Sequence, residues 1–535
     1  MKRRYDIIII GGGHNGLTAA AYLAKAGKSV LVLEKRAVLG GAAATEEIWP
    51  GFQANTGAED AGLFQDSIVK ELFLKMHGLE FRQSEVAIFA PQLDAPAVTL
   101  YRDVAKSQQA IATFSQRDAE RYPDFVAQVN GFTAVLRDML LQTPPNLGEP
   151  HLGELVGWGG VGLKLRRMGG ASMMEFMRVL PMPLREYLDE WFESDALKGA
   201  LAVDGITGTM QGPWSAGTTL QFLYQHSNGF LAQRAVAGGM GALSEALASA
   251  ARQNGAEIRT GAGIAKIQVD NGQAIAVLLE NGDQIPANVI LSSASPRHTF
   301  FDFVGPQQLE PRFMRAARNI IYRGSTARLL LALDELPHFA GQTGEGQLHG
   351  RIRHAPSLLY IEKAYDAAKH GRYAPHPVLD MQIPTLTDPT LAPPGKHLLA
   401  ITIRYAPYRL ADSSWENERE GLVTAVHNTL TPLLTPPSSS ASSPPSPPHP
   451  LTSAPAHLLT PSDYEHTYSL PEGSIFHGQM SLDQLLVMRP VPAWGQYRTP
   501  IENLYLCGAG AHPGGGVTGA PGYNAAQAVL NTRGS

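Results

Sequence analysis

The sequence predicts an α/β fold in which a parallel sheet flanked by helices is interleaved with a second, mixed α+β domain. Three observations predict it. The chain opens on an unbroken β-branched run, Asp6-Ile7-Ile8-Ile9-Ile10, that enters glycines. It closes on Leu504-Tyr505-Leu506-Cys507 and a second glycine-rich segment, Gly508–Gly522. Between them, residues 235–295 return to the same strand-and-helix pattern. An unbroken apolar run is the pattern of a strand buried on both faces, and such strands belong to parallel sheets covered by helices.

The first run leads into Gly11-Gly12-Gly13-His14-Asn15-Gly16. Gly11, Gly13 and Gly16 fit G-x-G-x-x-G: one glycine for the turn, one for close approach of a pyrophosphate, one for packing helix on strand. The alanine-rich stretch Leu17–Ala26 predicts a helix whose N-terminal N–H groups face the phosphates, stopped at Gly27. Ser29–Leu33 predicts the next buried strand. Glu34 at its end stands where a carboxylate accepts hydrogen bonds from ribose hydroxyls. The glycine pattern alone also describes a tight turn in other α/β units, but strand, helix, second strand and Glu34 in register indicate a Rossmann-like dinucleotide site. His14 and Asn15 occupy variable slots, where bonds to nearby backbone are the ordinary use.

The middle segment predicts a helix from Leu243 to Gln253, a strand over Ala256–Thr260, and strands Ala265–Val269 and Ala274–Leu279 joined by the hairpin signal Asp270-Asn271-Gly272. Val289–Leu291 is a further short buried strand. Residues 1–83, 231–309 and 471–535 are accordingly assigned to the dinucleotide-binding domain. Residues 84–230, mainly helical, and 310–470, sheet plus helices, are assigned to a substrate domain. Gly157–Gly170 and Met173–Pro183 read as interruptions of helix, whereas Val378–Gln382 and His397–Arg404 read as strands. Thr435–Pro455, almost wholly Pro, Ser, Thr, Ala and His, cannot bury enough apolar surface to order itself and is expected to be a mobile insertion.

Composition bounds the function. At 535 residues with 44% hydrophobic content the chain can build a large core, and a net charge of −5 argues against general nucleic-acid binding. No apolar run reaches the roughly 20 residues that span a bilayer, so a cytoplasmic location is expected. The mixed apolar and basic stretch Leu163–Met168 leaves peripheral membrane contact open against the commoner solvated helix face. Cys507 is the single cysteine, which excludes a redox pair and disulfide-reductase chemistry. No second strand–G-x-G-x-x-G–helix unit occurs, because Gly238-Gly239-Met240-Gly241 has the wrong spacing. Electrons are therefore expected to leave through a diffusible acceptor: oxygen, a quinone or NAD(P).

At the C-terminus a helix is expected over Tyr523–Leu530 after Gly508–Gly522. A glycine-rich backbone and a helix N-terminus there suit a flavin ring, whose reduction gathers negative charge near N1 and the C2 carbonyl. The cofactor predicted is FAD. His512 is the candidate polar group beside the ring, with a structural histidine bonded to the loop backbone as the alternative. No catalytic triad, carboxylate pair or metal-ligand spacing is evident.

Together these motifs resemble the phytoene desaturase family of FAD-dependent oxidoreductases. Within it they are most similar to the O-type β-carotene ketolase and pyridine nucleotide-disulphide oxidoreductase domain-containing branch. The resemblance runs nearly end to end. It is carried by Gly11–Gly16, Leu33–Arg36 through Gly40–Ala43, Glu190-Trp191-Phe192, Gly238-Gly239, Asp388–Gly395, Met480–Gln484 and Gly508–Gly522. It departs at Ala42, where the family usually has arginine, and at the 435–455 insertion. The fold implied is amine-oxidase/phytoene-desaturase-like. The cofactor set implied is Gly11, Gly13, His14, Asn15, Gly16, Glu34, Lys35, Gly40, Gly41, Ala42, Ile264, Gly510, Gly516, Val517 and Thr518.

The resemblance further implies desaturation or ketolation of a long apolar substrate, such as a carotenoid or other polyene, by hydride transfer to flavin N5. That reading expects a long apolar tunnel ending at the flavin. The alternatives are a flavin oxidase of small amines or amino acids, which expects an aromatic cage or an Arg-lined cavity beside the ring, and a non-catalytic flavoprotein.

Overall fold

Two seven-stranded sheets organise the chain in a computed structural model that describes residues 4–146, 152–435, 451 and 454–532. In the first sheet the strands run in the order Ile264–Asp270, Gln273–Leu279, Gln284–Ser292, Tyr5–Ile10, Val30–Leu33, Glu257–Arg259, with Leu504–Leu506 also pairing Gln284–Ser292. Tyr5–Ile10 is parallel to both of its neighbours, as its fully apolar run predicts. Gln284–Ser292 does two jobs. Its start pairs antiparallel with Gln273–Leu279, and its end lies parallel between Tyr5–Ile10 and Leu504–Leu506. The hairpin before it turns at Asn271 and Gly272, which both take positive φ, 48° and 79°, as a two-residue primed turn requires.

Three helices cover this sheet: His14–Lys25, Met240–Gln253 and Ala520–Thr532. The first begins three residues earlier than the sequence predicts, so His14 and Asn15 are its opening residues and not loop. Four parallel strands end together at Ile10, Leu33, Ser292 and Leu506. Ligands of open α/β sheets bind outside such carboxyl ends.

The second sheet runs Ala456–Leu459, Thr326–Leu333, His397–Arg404, Val378–Gln382, Arg351–His354, Val86–Ala90, Val98–Tyr101. Its register places Arg353 opposite Asp380, Asp380 opposite Thr402, and Thr402 opposite Arg328. The next row, Ile352, Met381, Ile401 and Leu329, is apolar and packs in a buried core. Since strand residues alternate faces, one face of this sheet is a hydrophobic floor and the other carries a line of buried charge.

The stretch 157–183 departs from expectation. It forms helices Leu152–Arg167 and Gly170–Val179 in place of interruptions. Trp158 donates to the Thr143 carbonyl, and Lys164 to Ala134 O and Asp138, so packing against helix Gln116–Leu140 overrides the poor helix propensity of the glycines. Leu163, Met174 and Met177 are exposed there. No helix among the described residues is long and apolar enough to cross a membrane. The 435–455 insertion lies, but for residues 435, 451, 454 and 455, outside the described residues.

Candidate functional site

A cavity of about 680 Å³ opens at the carboxyl ends of the first sheet. Its floor is the glycine loop. Gly11 takes φ +95°, and a methyl on it would lie 2.5 Å from Ser293 Oγ. At Gly16 a methyl would lie 2.2 Å from Gly11 O, so this glycine lets helix His14–Lys25 sit on the loop. Gly13 is different: a methyl there would meet only Gly40 O at 3.8 Å, which leaves open cavity in front of it. A second glycine turn braces the first, since Gly40 N–H donates to Gly12 O at 2.8 Å.

Glu34 is buried at the cavity edge. Its Oε2 accepts from Gly12 N–H at 2.7 Å and its Oε1 from Arg36 N–H at 2.8 Å. Each carboxylate oxygen keeps a lone pair for a ribose hydroxyl. Burial depresses the His14 pKa to about 4, against an opposing bond with the Gly516 backbone, so the ring is neutral at pH 7.

Of the sequence-predicted cofactor residues, Gly11, Gly13, His14, Asn15, Glu34, Lys35, Gly40, Gly41, Ala42, Ile264, Gly516 and Val517 line this one cavity. Gly16, Gly510 and Thr518 do not line it. They stand one layer behind: a methyl on Gly510 would meet Pro296 Cδ at 2.3 Å, and Thr518 is fully buried with its Oγ1 accepting from Ala520 N–H.

His512 is not at the cavity. It is fully buried, with Nε2 3.0 Å from Met139 O, while its own carbonyl accepts from Tyr497 OH at 3.0 Å. Burial lowers its pKa to about 4. It ties the C-terminal loop to the end of helix Gln116–Leu140, the contact expected of a structural histidine.

Sequence reasoning missed Arg36. It lines the cavity with Nη1 buried and unpartnered, Nη2 on Glu46 at 2.5 Å and its guanidinium 4.8 Å from the Tyr468 ring. Where Ala42 withholds the family's arginine, Arg36 puts a cation at the same cavity. The orphaned Arg36 Nη1, His14 Nε2 and Asn15 Oδ1, the open face of Gly13 and the N-terminus of helix His14–Lys25 fit an anionic dinucleotide.

Beyond Gly57, Ala58, Tyr464, Ile475, Phe476, Gly516 and Val517, which line both, a smaller void of about 140 Å³ reaches the second sheet. Its walls include Glu59, Asp60, Asp204, Arg351, Asp380 and Arg404. Arg351 bridges Glu59 at 2.9 Å, Asp380 at 2.9 Å and Asp60; Arg404 reaches Asp380 at 3.1 Å; Arg353, behind the wall, holds Asp204 at 2.5 Å. Arg328 and Thr402 close on Glu59. Four guanidiniums thus interlock with four carboxylates. Burial pushes the Asp380 carboxyl up, but Arg351, Arg353 and Arg404 together outweigh it and hold Asp380 well below the usual carboxylate range. The signal in the sequence was alternation: Thr402-x-Arg404 on a strand read only for its apolar positions, and Arg351-x-Arg353 on a strand that was not predicted.

Comparison with known proteins agrees with this geometry. Residues 9–60 match an NAD(P)-binding Rossmann-like domain, and residues 200–530 match the flavin containing amine oxidoreductase model. The chain is 35% identical to pyridine nucleotide-disulfide oxidoreductase domain-containing protein 2 of Rattus norvegicus over 99% of this chain and 94% of that one. It is 28% identical to one of the limonene dehydrogenase subunits of Castellaniella defragrans (99% and 95% covered) and 22% identical to a 4,4'-diapophytoene desaturase of Methylomonas sp (97% and 93%). Among solved structures, a putrescine oxidase triple mutant superposes with TM-score 0.61 at 15% identity, covering 99% of both chains. Cyclohexylamine oxidase from Brevibacterium oxydans superposes with TM-score 0.57 at 14% identity, covering 100% of both.

Proposed function

The chain belongs to the flavin containing amine oxidoreductase family and binds FAD, and from that premise we propose that it oxidises a small polar amine or amino acid. The substrate ammonium would first give a proton to solvent, and loss of a hydride from the carbon next to nitrogen would then leave the C=N bond of a protonated imine. Bound FAD supplies the two-electron acceptor.

The observation that carries the reading is the charged void against the cofactor cavity. Its volume, about 140 Å³, holds on the order of a few waters, and its walls carry Glu59, Asp60, Asp204 and Asp380. An apolar chain placed there would strip water from buried charges without replacing its hydrogen bonds. A substrate ammonium would meet carboxylates already fixed by arginines, so little ordering is needed on binding. Asp380 stays ionised beside its three arginines and serves to hold charge, not to take a proton. In the proposed arrangement Gly11–Asn15 and Arg36 hold the pyrophosphate side of FAD, Glu34 the ribose, and Gly57, Ala58, Gly516 and Val517 the flavin end that faces the void.

A second reading, oxidation of an apolar polyene or terpene, draws on the names of the desaturase and limonene dehydrogenase relatives. Anaerobic titration decides between them. The amine reading expects small amines or amino acids to bleach the yellow of the bound flavin. Bleaching by polyenes or limonene, with every amine and amino acid inert, would overturn it.

A further inference from the structure

The charged void continues outward. A further cavity of about 60 Å³ shares Glu59, Asp60, Gln233 and Arg351 with it, so these four side chains form a partition between an inner chamber and an outer one. The outer walls reach the surface at Gln83 and His349, which are exposed. The three spaces share walls in sequence: rim, outer cavity, inner chamber, flavin end of the cofactor cavity.

The outer cavity carries more guanidiniums on its walls than the inner one, which shows only Arg351 and Arg404 against four carboxylates. Arg82, Arg102, Arg234 and Arg351 line it against Glu59, Asp60 and Asp388. Arg82 is paired with Glu80 and Asp388, and Arg234 with Asp66. Arg102 instead spends its donors on carbonyls, Nε on Ser84 O at 2.7 Å, Nη2 on Gln233 O at 2.5 Å and Nη1 on Leu231 O. Burial lowers its pKa, opposed by the charge of Asp60. A guanidinium satisfied by neutral carbonyls keeps its net charge available to whatever enters, and a narrow low-dielectric passage concentrates that field. At the partition, Arg351 is the shared pivot, bonded on the inner side to Asp380 and Glu59 and also to Asp60.

We infer that the outer cavity is the entrance to the flavin and admits small molecules that carry a carboxylate. Resting on the function proposed above, this narrows the substrate to an amino acid or related zwitterion. The arginine-lined entrance attracts the carboxylate end, and the inner carboxylates receive the ammonium end. Passage requires Arg351 to exchange protein carboxylates for the incoming one.

The test uses the intact flavoprotein and does not depend on the substrate. Cys507 is the single cysteine and is buried, so Gln83→Cys offers one reactive thiol at the rim. Dithionite, a small anion, reduces the flavin directly. A bulky maleimide attached at that position is expected to slow dithionite reduction several-fold. The same label on Ile275→Cys, exposed on the hairpin of the first sheet, leaves the rate unchanged. Arg82→Gln is expected to slow dithionite about tenfold at low ionic strength, with the difference closing as salt is added. An unchanged rate with the label at position 83 overturns the entrance, and a salt-independent or absent effect of Arg82→Gln overturns its preference for anions. Both results stand whether or not an amine reduces the flavin, so failure of the entrance and failure of the amine reading are told apart.

Discussion

Gly522 lies so close to Asn15 that a methyl on its α carbon would sit 2.0 Å from the Asn15 carbonyl oxygen. The two ends of a 535-residue chain therefore meet at one point, where helix Ala520–Thr532 crosses the start of helix His14–Lys25. That crossing sits beside the N-terminus that faces the cofactor cavity. Gly522→Ala is expected to push the helices apart, lower the thermal midpoint and reduce the flavin retained on purification. Gly159→Ala is the contrast: this exposed helical glycine has nothing within 4 Å of an added methyl, so the change stabilises by roughly 0.5–1 kcal/mol. Equal melting of the two variants would contradict the close crossing.

Gly13→Glu and Glu34→Arg act on opposite ends of one hydrogen-bonded turn. At Gly13, φ is an ordinary −71° and the side chain has open space, so the backbone tolerates glutamate while the carboxylate enters the pyrophosphate position. Glu34→Arg removes the acceptor of Gly12 N–H and Arg36 N–H and adds a third cation beside Lys35 and Arg36. Both proteins are expected to purify colourless, with circular dichroism close to that of the parent. A yellow flavin spectrum in both variants would remove the assignment of this turn to FAD.

His512→Gln separates architecture from chemistry. The His512 ring is fully buried and its Nε2 bonds Met139 O across a part-buried contact, so a longer, more flexible amide in its place costs up to about 1–3 kcal/mol. The variant is expected to melt at lower temperature yet to reduce its flavin with dithionite at the parental rate. A large loss of rate with unchanged melting would restore His512 to the reaction.

Four histidines set an acid limit on stability. Burial lowers His14, His354 and His512 to about 4, and burial with Arg489, His298 and His14 nearby lowers His477 to about 3. Unfolded, each titrates near 6.5. A folded pKa below the unfolded one gives stability that is complete above pH 6.5 and is lost as pH falls toward 4, by about 1.4 kcal/mol per pH unit for each group. The thermal midpoint is expected to be level from pH 8 to 7 and to drop steeply below 6.5, before Asp380 takes up a proton. His512→Gln should flatten part of that slope. A midpoint independent of pH from 7 to 5 would show these rings to be solvated.

What the sequence made legible was local. Ile7–Ile10 announced a parallel strand because burial on both faces leaves an unbroken apolar run, whereas Val378–Gln382 and His397–Arg404, antiparallel and charged on one face, stood out only by their apolar positions. The Asn271-Gly272 turn was readable because few other pairs tolerate two positive φ values. The charged chamber was not. Glu59, Asp204, Arg351 and Asp380 are distant in the chain, and only the last two share a sheet, while an isolated arginine in a strand looks like a solvated face. Helix Leu152–Arg167 was hidden for the opposite reason: its glycines argue against helix, and Trp158, which holds it to Thr143, and Lys164, which holds it to Gln116–Leu140, carry no periodic signal.

Gln225 offers the sharpest probe of the chamber. It ends helix Thr218–Gln225, lines the inner void, and its buried Nε2 has no hydrogen-bond partner. A buried donor without a partner is costly unless a ligand or water satisfies it. Gln225→Leu keeps the volume and removes the amide, so no charge pair of the chamber is disturbed and FAD retention should be unchanged. A substrate that bonds to this amide loses about 1–3 kcal/mol, which is a tenfold to hundredfold fall in the rate of flavin reduction at low concentration. An apolar reductant gains or loses nothing from the missing amide and profits slightly from the new methyl groups. Stopped-flow reduction of parent and variant by a small amino acid and by limonene reads both effects at once: selective loss with the amino acid supports the polar chamber, and a rate that rises only with limonene would shift the assignment to a terpene.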